Sequence, residues 1–408
     1  MSKSNFPAAA IAALLLCSVA VPLWAADAGP SPAVAKVALA AQNEFTAKRY
    51  GEAIAKAKEI LAISGKTQYD TFFAYRLMLL AYQGQGNQAE MLNAWQGMLD
   101  SGHPSSAEQN QITKNMFLTA AGIKNYPQAV EYGNRLIRSG GAEPNTYVVI
   151  ADSMDKQGKS AEALKFLSDY VSGLERGSQK PPEQTLAMLR AWQDKHGNKS
   201  AATDTMEKLV VHYPKPEYWS LLLYAAGRDA KLTERQRMQL FRLKKDTGNL
   251  KRCEDFTEYA ETAIDAGIPG EGQTVIEQGV AAKACVEKTA LDKLQRMNAT
   301  ATREVAADKA RLAKLEVDAK AAKTGQLDVE LGATQFGYGE YARSVEALSR
   351  GIGKGGLKNL DDAQLMLGIA QFRANNKSEA VKTFQSIKSA DPLTQRIVKL
   401  WILHASRP

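Results

Sequence analysis

Residues 147–170 read YVVIADSMDKQGKSAEALKFLSDY, and this stretch decides the fold. Apolar residues recur three or four positions apart in both halves, which places them on one face of an α-helix. They are Tyr147, Ile150 and Ala151 in the first half and Ala163, Leu167 and Tyr170 in the second. Gly158 lies between them, where a helix is expected to end. The stretch therefore predicts a helix hairpin.

A second copy of the pattern occurs near the end of the sequence, at residues 365–392, which read LMLGIAQFRANNKSEAVKTFQSIKSADP. Leu367 and Gly368 belong to its first predicted helix. Ala380, Phe384 and Ile387 belong to the second. Small residues sit where two helices approach closely, and bulkier residues fill the space beside them. No segment alternates apolar and polar residues over a sustained length, so almost no strand is expected.

These motifs resemble the tetratricopeptide repeat, a helix–turn–helix unit of about 34 residues. The small residue of the second helix recurs along the chain at Ala53, Met91, Ala129, Ala163, Ala202, Ser344 and Ala380. The match is strong at 144–171 and 361–392, and the resemblance covers roughly residues 33–392. It implies an all-α fold, a superhelical solenoid of stacked helix hairpins with an extended concave surface.

The repeats divide the chain into blocks. We expect a signal peptide at 1–25, a short linker at 26–32 and an N-terminal repeat block at 33–214. Divergent helix hairpins follow at 215–286, in which Gly267 and Pro269 mark a turn. Residues 287–323 are rich in Ala and charge, which favours a long, mostly exposed helix or, alternatively, a partly disordered linker. A C-terminal repeat block with a capping helix is expected at 324–408.

The first 25 residues carry one charge, Lys3, before an apolar run and a small residue at Ala25. This order is typical of a secretory signal peptide, with cleavage after Ala25 or Ala28 and a periplasmic mature protein. An uncleaved anchor would need about 20 apolar residues, more than the unbroken run supplies. Cys17 follows Leu16, where a lipoprotein carries a small residue.

Export leaves two cysteines, Cys253 and Cys285, in an oxidising compartment, where a disulfide is favoured. They lie 14 residues before Gly267 and 16 after Pro269, so an antiparallel hairpin brings them level. The sequence predicts that they are bonded at the open end of this hairpin.

The sequence carries no recognisable catalytic or metal motif. Its four histidines do not pair at ligand spacing. The glycines of a Gly-x-Gly-x-x-Gly run, at 351, 353 and 356, follow a helix and not the strand that a dinucleotide site needs. We therefore expect a protein that is not an enzyme and has no cofactor.

Charge suggests one further surface. The net charge is +8, with 45% hydrophobic and 24% charged residues, which neither requires nucleic acid nor predicts disorder. The stretch 231–252 concentrates basic residues that could contact an anionic surface or could simply be a solvated helix face. They are Lys231, Arg235, Arg237, Arg242, Lys244, Lys245, Lys251 and Arg252.

In tetratricopeptide-repeat proteins the first helix of each unit lines the concave groove and holds peptides. Carried over by position, the candidate partner-binding residues are Arg76, Lys114, Asn115, Asp152, Asp155, Gln184, Asp194, Phe372 and Arg373. The resemblance implies a non-catalytic periplasmic scaffold or adaptor that binds envelope proteins. The C-terminal block resembles repeat proteins that accompany TonB-type energy-transducing systems. The alternative is a ligand-binding or regulatory protein for cell-wall synthesis or polysaccharide export.

Overall fold

The computed structural model describes residues 29–228 and 231–407, and every regular element in these ranges is a helix. The predicted signal peptide, and with it Cys17, lies outside them. The first nine helices are α1 Ala35–Thr46, α2 Tyr50–Ala62, α3 Gln68–Gly84, α4 Gln88–Asp100, α5 Ser106–Gly122, α6 Tyr126–Arg138, α7 Pro144–Lys156, α8 Ser160–Arg176 and α9 Glu183–Lys195. The others are α10 Lys199–His212, α11 Pro216–Gly227, α12 Glu234–Asp246, α13 Cys253–Asp265, α14 Pro269–Ala281, α15 Lys288–Ala321, α16 Gln326–Gly337, α17 Tyr341–Lys354, α18 Leu360–Arg373, α19 Lys377–Ser386 and α20 Pro392–Ala405.

The chain folds as two compact units, which divide after Gln193 near the end of α9. In the first unit, consecutive helices pair as hairpins, α1 with α2, α3 with α4, α5 with α6 and α7 with α8. Neighbouring hairpins also pack together, because α2 contacts α3, α4 contacts α5 and α6 contacts α7. The predicted all-α repeat of stacked helix hairpins is confirmed.

The hairpin quoted first forms as its pattern predicts. Gly158 has a φ of +79° in the turn between α7 and α8, a conformation that favours glycine. Ile150, Ala151 and Ala163 are completely buried, as is Leu167. The rings of Tyr147 and Tyr170 stack with their centroids 3.7 Å apart. Local helix signals and apolar periodicity therefore agree with the packing.

Reciprocal caps mark the starts of several hairpins. Thr67 and Asp70 form a capping box at the start of α3, and Ser105 and Glu108 form one at the start of α5. Each box satisfies backbone N–H groups that the first turn of a helix leaves without intrahelical partners. These polar signals fix where the first helix of each hairpin begins.

In the second unit, α13 and α14 form the hairpin predicted around Gly267 and Pro269, and Pro269 is the first residue of α14. Cys253 and Cys285 are joined by a disulfide at the open end of this hairpin, as the sequence predicted, with Cα atoms 4.7 Å apart. The bond connects the start of α13 to the segment that leads into α15.

The charged segment at 287–323 forms one continuous helix of 34 residues, α15. Its buried residues repeat at helical spacing along one face: Leu294, Ala301, Val305, Asp308 and Ala319. This face packs against α13, α14 and α16. Two of these residues are alanines and one is an aspartate, which explains why the sequence shows only a weak apolar stripe.

The last helix, α20, contacts helices from both the beginning and the end of the second unit. Helix α20 packs against α18 and α19, and it also returns to α10, α11 and α12 at the beginning of the unit. Trp401 and Ile397 bury its inner face. Hydrogen bonding from Gln236 of α12 to Thr394 of α20, at 3.0 Å, joins the two. Within the described ranges, no helix is long and apolar enough to cross a membrane.

Candidate functional site

The predicted groove residues of the first unit form a register. Arg76, Lys114 and Asp152 are each the ninth residue of their helix, α3, α5 and α7 respectively. All three are partly exposed. Since these helices open successive hairpins of a stacked repeat, equal register places the residues in a row along the unit.

The two cations of this row act on the next hairpin. Lys114 forms an ion pair with Glu143, the residue just before α7. The pKa of Glu108, in the first turn of α5, is lowered mainly by hydrogen bonds from Ser105, and also by the positive charges of His103 and Arg76. The cations therefore help to hold one repeat against the next and are partly neutralised there.

The other predicted residues of the first repeats differ in their surroundings. Asp155 accepts a hydrogen bond from the Ser160 hydroxyl, which joins α7 to the first residue of α8. Asn115 accepts one from Gln111 within α5. Gln184 and Asp194 are exposed on α9. Asp155 therefore supports the turn of its own hairpin, and a role in partner binding stays a prediction for this set.

The structure corrects the assignment of Phe372 and Arg373 to an open groove. Only 10% of the Arg373 side chain is exposed, and its guanidinium lies 3.0 Å from Asp246. The same group lies over the ring of Phe336. Phe372 packs on Trp401. Because α20 packs on α18, both side chains are only partly exposed and contact other helices of the second unit.

Part of the basic stretch 231–252 is paired within the fold, and contact of this stretch with an anionic surface stays a prediction. Acidic partners neutralise several of its charges: Arg235 pairs with Asp362, Arg242 with Glu271, and both Lys244 and Arg252 with Asp255. These acids lie on α13, α14 and α18. The sequence shows the basic run, but it does not show which carboxylates pair with it. Those carboxylates lie outside residues 231–252 and are brought there by the tertiary fold.

A buried ion-pair network lies at the centre of the second unit. Arg242 is completely buried and binds Glu271 through two bonds, Nε to Oε1 at 3.0 Å and Nη2 to Oε2 at 2.6 Å. Tyr259 donates its hydroxyl to Oε1 of the same carboxylate at 2.6 Å. Burial opposes ionisation of Glu271, but the charge and hydrogen bonds of Arg242 outweigh it and lower the pKa of Glu271 to about 2. The network is thus ionised and closely hydrogen-bonded.

A histidine lies beside this network. His404 of α20 is packed among the rings of Trp219, Phe372 and Trp401. Burial, followed by the positive charges of Arg407, Arg373 and Lys377, lowers the pKa of His404 to about 3. The ring is therefore neutral at physiological pH and serves as a packing element between α20 and its neighbours.

The second unit also contains a cleft, which we call the α12–α18 cleft. Its inner part is a cavity of about 410 Å³ lined by residues of α12, α13, α16 and α18 and of the loop before α18. An outer cavity of about 640 Å³ adjoins it and shares part of its wall. The shared residues are Glu234, Arg235, Lys358, Asn359 and Asp362.

No local signal in the sequence marks the cleft. Its floor is apolar and includes Met238, Ile268 and Met366, while carboxylates lie at Asp265 and Glu330. The two walls are far apart in the chain, as the Arg235–Asp362 ion pair at 3.1 Å shows. Only packing of distant hairpins creates this concavity, which is of the size and composition that ligand sites use.

Comparison with known proteins identifies the repeat. The tetratricopeptide repeat profile matches residues 362–394, which comprise α18, α19 and the start of α20. The chain carries a tetratricopeptide repeat. Gly368 and Ala380 of this repeat are the small residues at which α18 and α19 approach closely, since Ala380 is buried and the Gly368 position faces the ring of Phe384. No curated protein matches the sequence.

Several solved structures are similar to this chain at low identity. The Naa15/Naa10 complex bound to HypK-THB matches at 16% identity, with a TM-score of 0.41, over 90% of this chain. The chain spans 59% of that structure. A tetratricopeptide repeat protein from Parabacteroides merdae matches at 12% identity and a TM-score of 0.23, over 72% of this chain and 98% of its own. Yeast Tom70 matches at 9% identity and a TM-score of 0.24, over 91% and 95%.

Proposed function

We propose that this tetratricopeptide-repeat protein is a non-catalytic scaffold that binds other proteins in a bacterial envelope complex. The observation that carries the proposal is the row of polar residues at equal register on α3, α5 and α7. A stacked repeat with such a row offers an extended surface that can follow a partner over several hairpins. The tetratricopeptide repeat at 362–394 supports the same class of function.

Asp152 is the residue with which we test the row, because it is partly exposed at the ninth position of α7. Asp152→Asn keeps the shape of the side chain and removes its charge. The matched control is Asp169→Asn on α8, the second helix of the same hairpin, where the side chain is 64% exposed. Thermal melting of both proteins measures the effect of each substitution on stability, so that a loss of binding can be distinguished from a loss of folding.

The measurement is capture of partners by the full chain from crosslinked cells of the source bacterium, followed by mass spectrometry. We expect Asp152→Asn to recover less of at least one partner, by roughly fivefold for an anchor residue, while Asp169→Asn recovers it normally. Equal recovery by both variants would exclude the row as the binding surface. Failure of the wild type to capture any protein would exclude the scaffold itself.

The periplasmic location and the association with a TonB-type energy-transducing system form the finer part of the proposal. They rest on the sequence of residues 1–25 and on the resemblance of the C-terminal block. Intact-mass measurement of protein from the envelope fraction checks the first, and a mass that includes Met1 through Trp24 would contradict it. The presence or absence of TonB-system components among the captured partners checks the second.

A further inference from the structure

The α12–α18 cleft combines an apolar floor with acidic side chains, unlike the polar row formed by Arg76, Lys114 and Asp152. Its floor is formed by apolar side chains of α12, α16 and α18 and of the turn before α14, among them Met238, Ile268, Ala333 and Met366. Two methionines in one floor can adjust to side chains of different shape, because methionine is unbranched and flexible. A cavity of about 410 Å³ is large enough to hold one or two side chains of a partner.

The rim of the inner cavity is acidic. Asp265 and Glu330 line it, and neither carboxylate forms an ion pair with a basic side chain in residues 29–228 and 231–407. By contrast, the arginines of the wall are already paired, Arg235 with Asp362 and Arg242 with Glu271. Lys358 also lines the cavity, so Asp265 and Glu330 together outweigh its positive charge and the rim stays negative.

Asp265 is in an unfavourable place for an isolated helix. It is the last residue of α13, whose final turn contains no basic residue. The C-terminal end of a helix carries partial negative charge, so a carboxylate there is repelled and a cation is attracted. A positively charged group bound at the rim would face both Asp265 and this end of the helix.

The shape of the cleft favours an extended occupant. The inner cavity opens into the outer one through shared residues that include Glu234 and Lys358. Two adjoining cavities of about 410 and 640 Å³ suit a chain that passes through both. A small compact molecule would fill only one of them.

From these features we infer that the α12–α18 cleft binds an extended segment of a partner protein in which an apolar side chain stands next to a lysine or arginine. The apolar side chain occupies the floor at Met238, Ile268 and Met366. The basic group lies at the rim against Asp265 and Glu330. This inference rests on the proposed scaffold function, for which it names a partner class and a second binding surface.

The test uses the full chain and fluorescein-labelled hexapeptides, measured by fluorescence anisotropy at low salt. The probe Gly-Leu-Lys-Leu-Lys-Gly has both required features. Gly-Leu-Glu-Leu-Glu-Gly keeps the apolar side chains and reverses the charge, and Gly-Ser-Lys-Ser-Lys-Gly keeps the charge and removes the apolar side chains. We expect saturable binding of the first peptide and at least tenfold weaker binding of the other two.

Variants of the chain locate the binding. Asp265→Asn combined with Glu330→Gln should weaken the first peptide by roughly five- to tenfold, because two charge pairs at a solvent-exposed rim are lost. Glu254→Gln combined with Glu277→Gln removes the same charge from exposed positions of α13 and α14 outside the cleft, and should leave binding unchanged. Ala333→Phe, which fills part of the floor, should abolish binding. Circular dichroism melting identifies any variant that does not fold.

The inference is overturned if the wild type does not bind the basic apolar peptide, if the acidic peptide binds equally well, or if the rim variant and its control bind alike. The rim variant decides the matter even where the floor variant fails to fold. Partner capture by the wild type in cells is a separate readout. If partners are captured but the peptides do not bind, the scaffold proposal stands and this inference falls.

Discussion

At the scale of single residues, Glu271 is a buried carboxylate that is held by one ion pair and one tyrosine hydrogen bond. Its carboxylate is surrounded by Arg242 and Tyr259, and only 4% of its side chain is exposed. Such a pair gives little net stability compared with apolar residues, because both charges must leave water. Once it is built into the fold, however, neither partner can be removed without leaving a buried charge.

Glu271→Gln should therefore destabilise the protein by about 3–5 kcal/mol, because the completely buried Arg242 loses its counter-charge. Urea unfolding followed by circular dichroism measures the change. Glu261→Gln is the matched control, since Glu261 forms an exposed ion pair with Lys293 and should contribute less than about 1 kcal/mol. Equal effects of the two substitutions would mean that the buried network is not needed for stability.

Acidification should weaken the fold in two steps. The pKa of His404 is lowered to about 3 by burial and by neighbouring cations, so stability is complete above the ordinary value near 6.5 and declines as pH falls from 6.5 towards 3. The pKa of Glu271 is lowered to about 2, so its contribution is complete above about 4.5 and is lost as pH falls towards 2. Both groups therefore lower the free energy of unfolding as the pH falls.

The window between pH 6.5 and 5 isolates the histidine, because most carboxylates are still ionised there. The free energy of unfolding should fall by up to about 1.4 kcal/mol for each pH unit in this window on account of His404. His404→Phe keeps a ring against Trp219 and Trp401 and should flatten this part of the profile. An unchanged slope in the variant would show that His404 does not cause the decline.

At the scale of elements, the close approach of α18 and α19 depends on the size of Gly368. A Cβ atom at this position would lie 2.3 Å from the Phe384 ring, and Phe384 is completely buried. The ring has no space into which it can move. The hairpin that the tetratricopeptide profile identifies is therefore held together by a contact that tolerates no side chain on one helix.

Gly368→Ala should destabilise the protein by about 1–3 kcal/mol through overpacking, in spite of the better helix propensity of alanine. Gly353→Ala in α17 is the matched control: no atom lies within 4 Å of a Cβ there, so the same change should be neutral or stabilising by up to about 1 kcal/mol. Thermal melting of the two variants compares them. A melting temperature for Gly368→Ala at or above that of the wild type would contradict the packing argument.

At the scale of the second unit, α20 joins the last helices to the first. Trp401 is completely buried and packs against Phe372 of α18 and Phe384 of α19. On another side of α20, Lys399 pairs with Glu207 of α10 at 2.8 Å. Through α20, the repeat at 362–394 is consequently fixed to α10, which ends far earlier in the chain at His212.

Trp401→Ala should cost about 3–5 kcal/mol, as expected for removal of a buried aromatic side chain. Hydrogen exchange with mass spectrometry should show faster exchange in both α10–α12 and α18–α19, because α20 packs on both groups. Trp192→Ala, at a partly exposed residue of α9, controls for the loss of a tryptophan as such. Faster exchange confined to α18–α19 would contradict the joining role of α20.

The sequence by itself determined the elements that depend on nearby residues. The helix hairpin at 147–170 follows from apolar spacing and from Gly158, and the disulfide follows from the nearly equal distances of Cys253 and Cys285 from one turn. The helix at 288–321 was expected from its composition. In each case the signal lies within one or two helices, where geometry is fixed at 3.6 residues per turn.

Only the tertiary structure decided what the charged residues do. Arg373 was predicted to line an open groove, and the 231–252 run was predicted to be either a cationic surface or a solvated helix face. Within the second unit, Asp246 pairs with Arg373, Glu271 with Arg242 and Asp362 with Arg235. The α12–α18 cleft likewise exists only because α16 and α18 pack near α12 and α13, which are distant in the sequence. Local periodicity describes which face of a helix is apolar, but ion pairs and cavities are set by which distant helices pack together, and that depends on the summed packing of the whole unit.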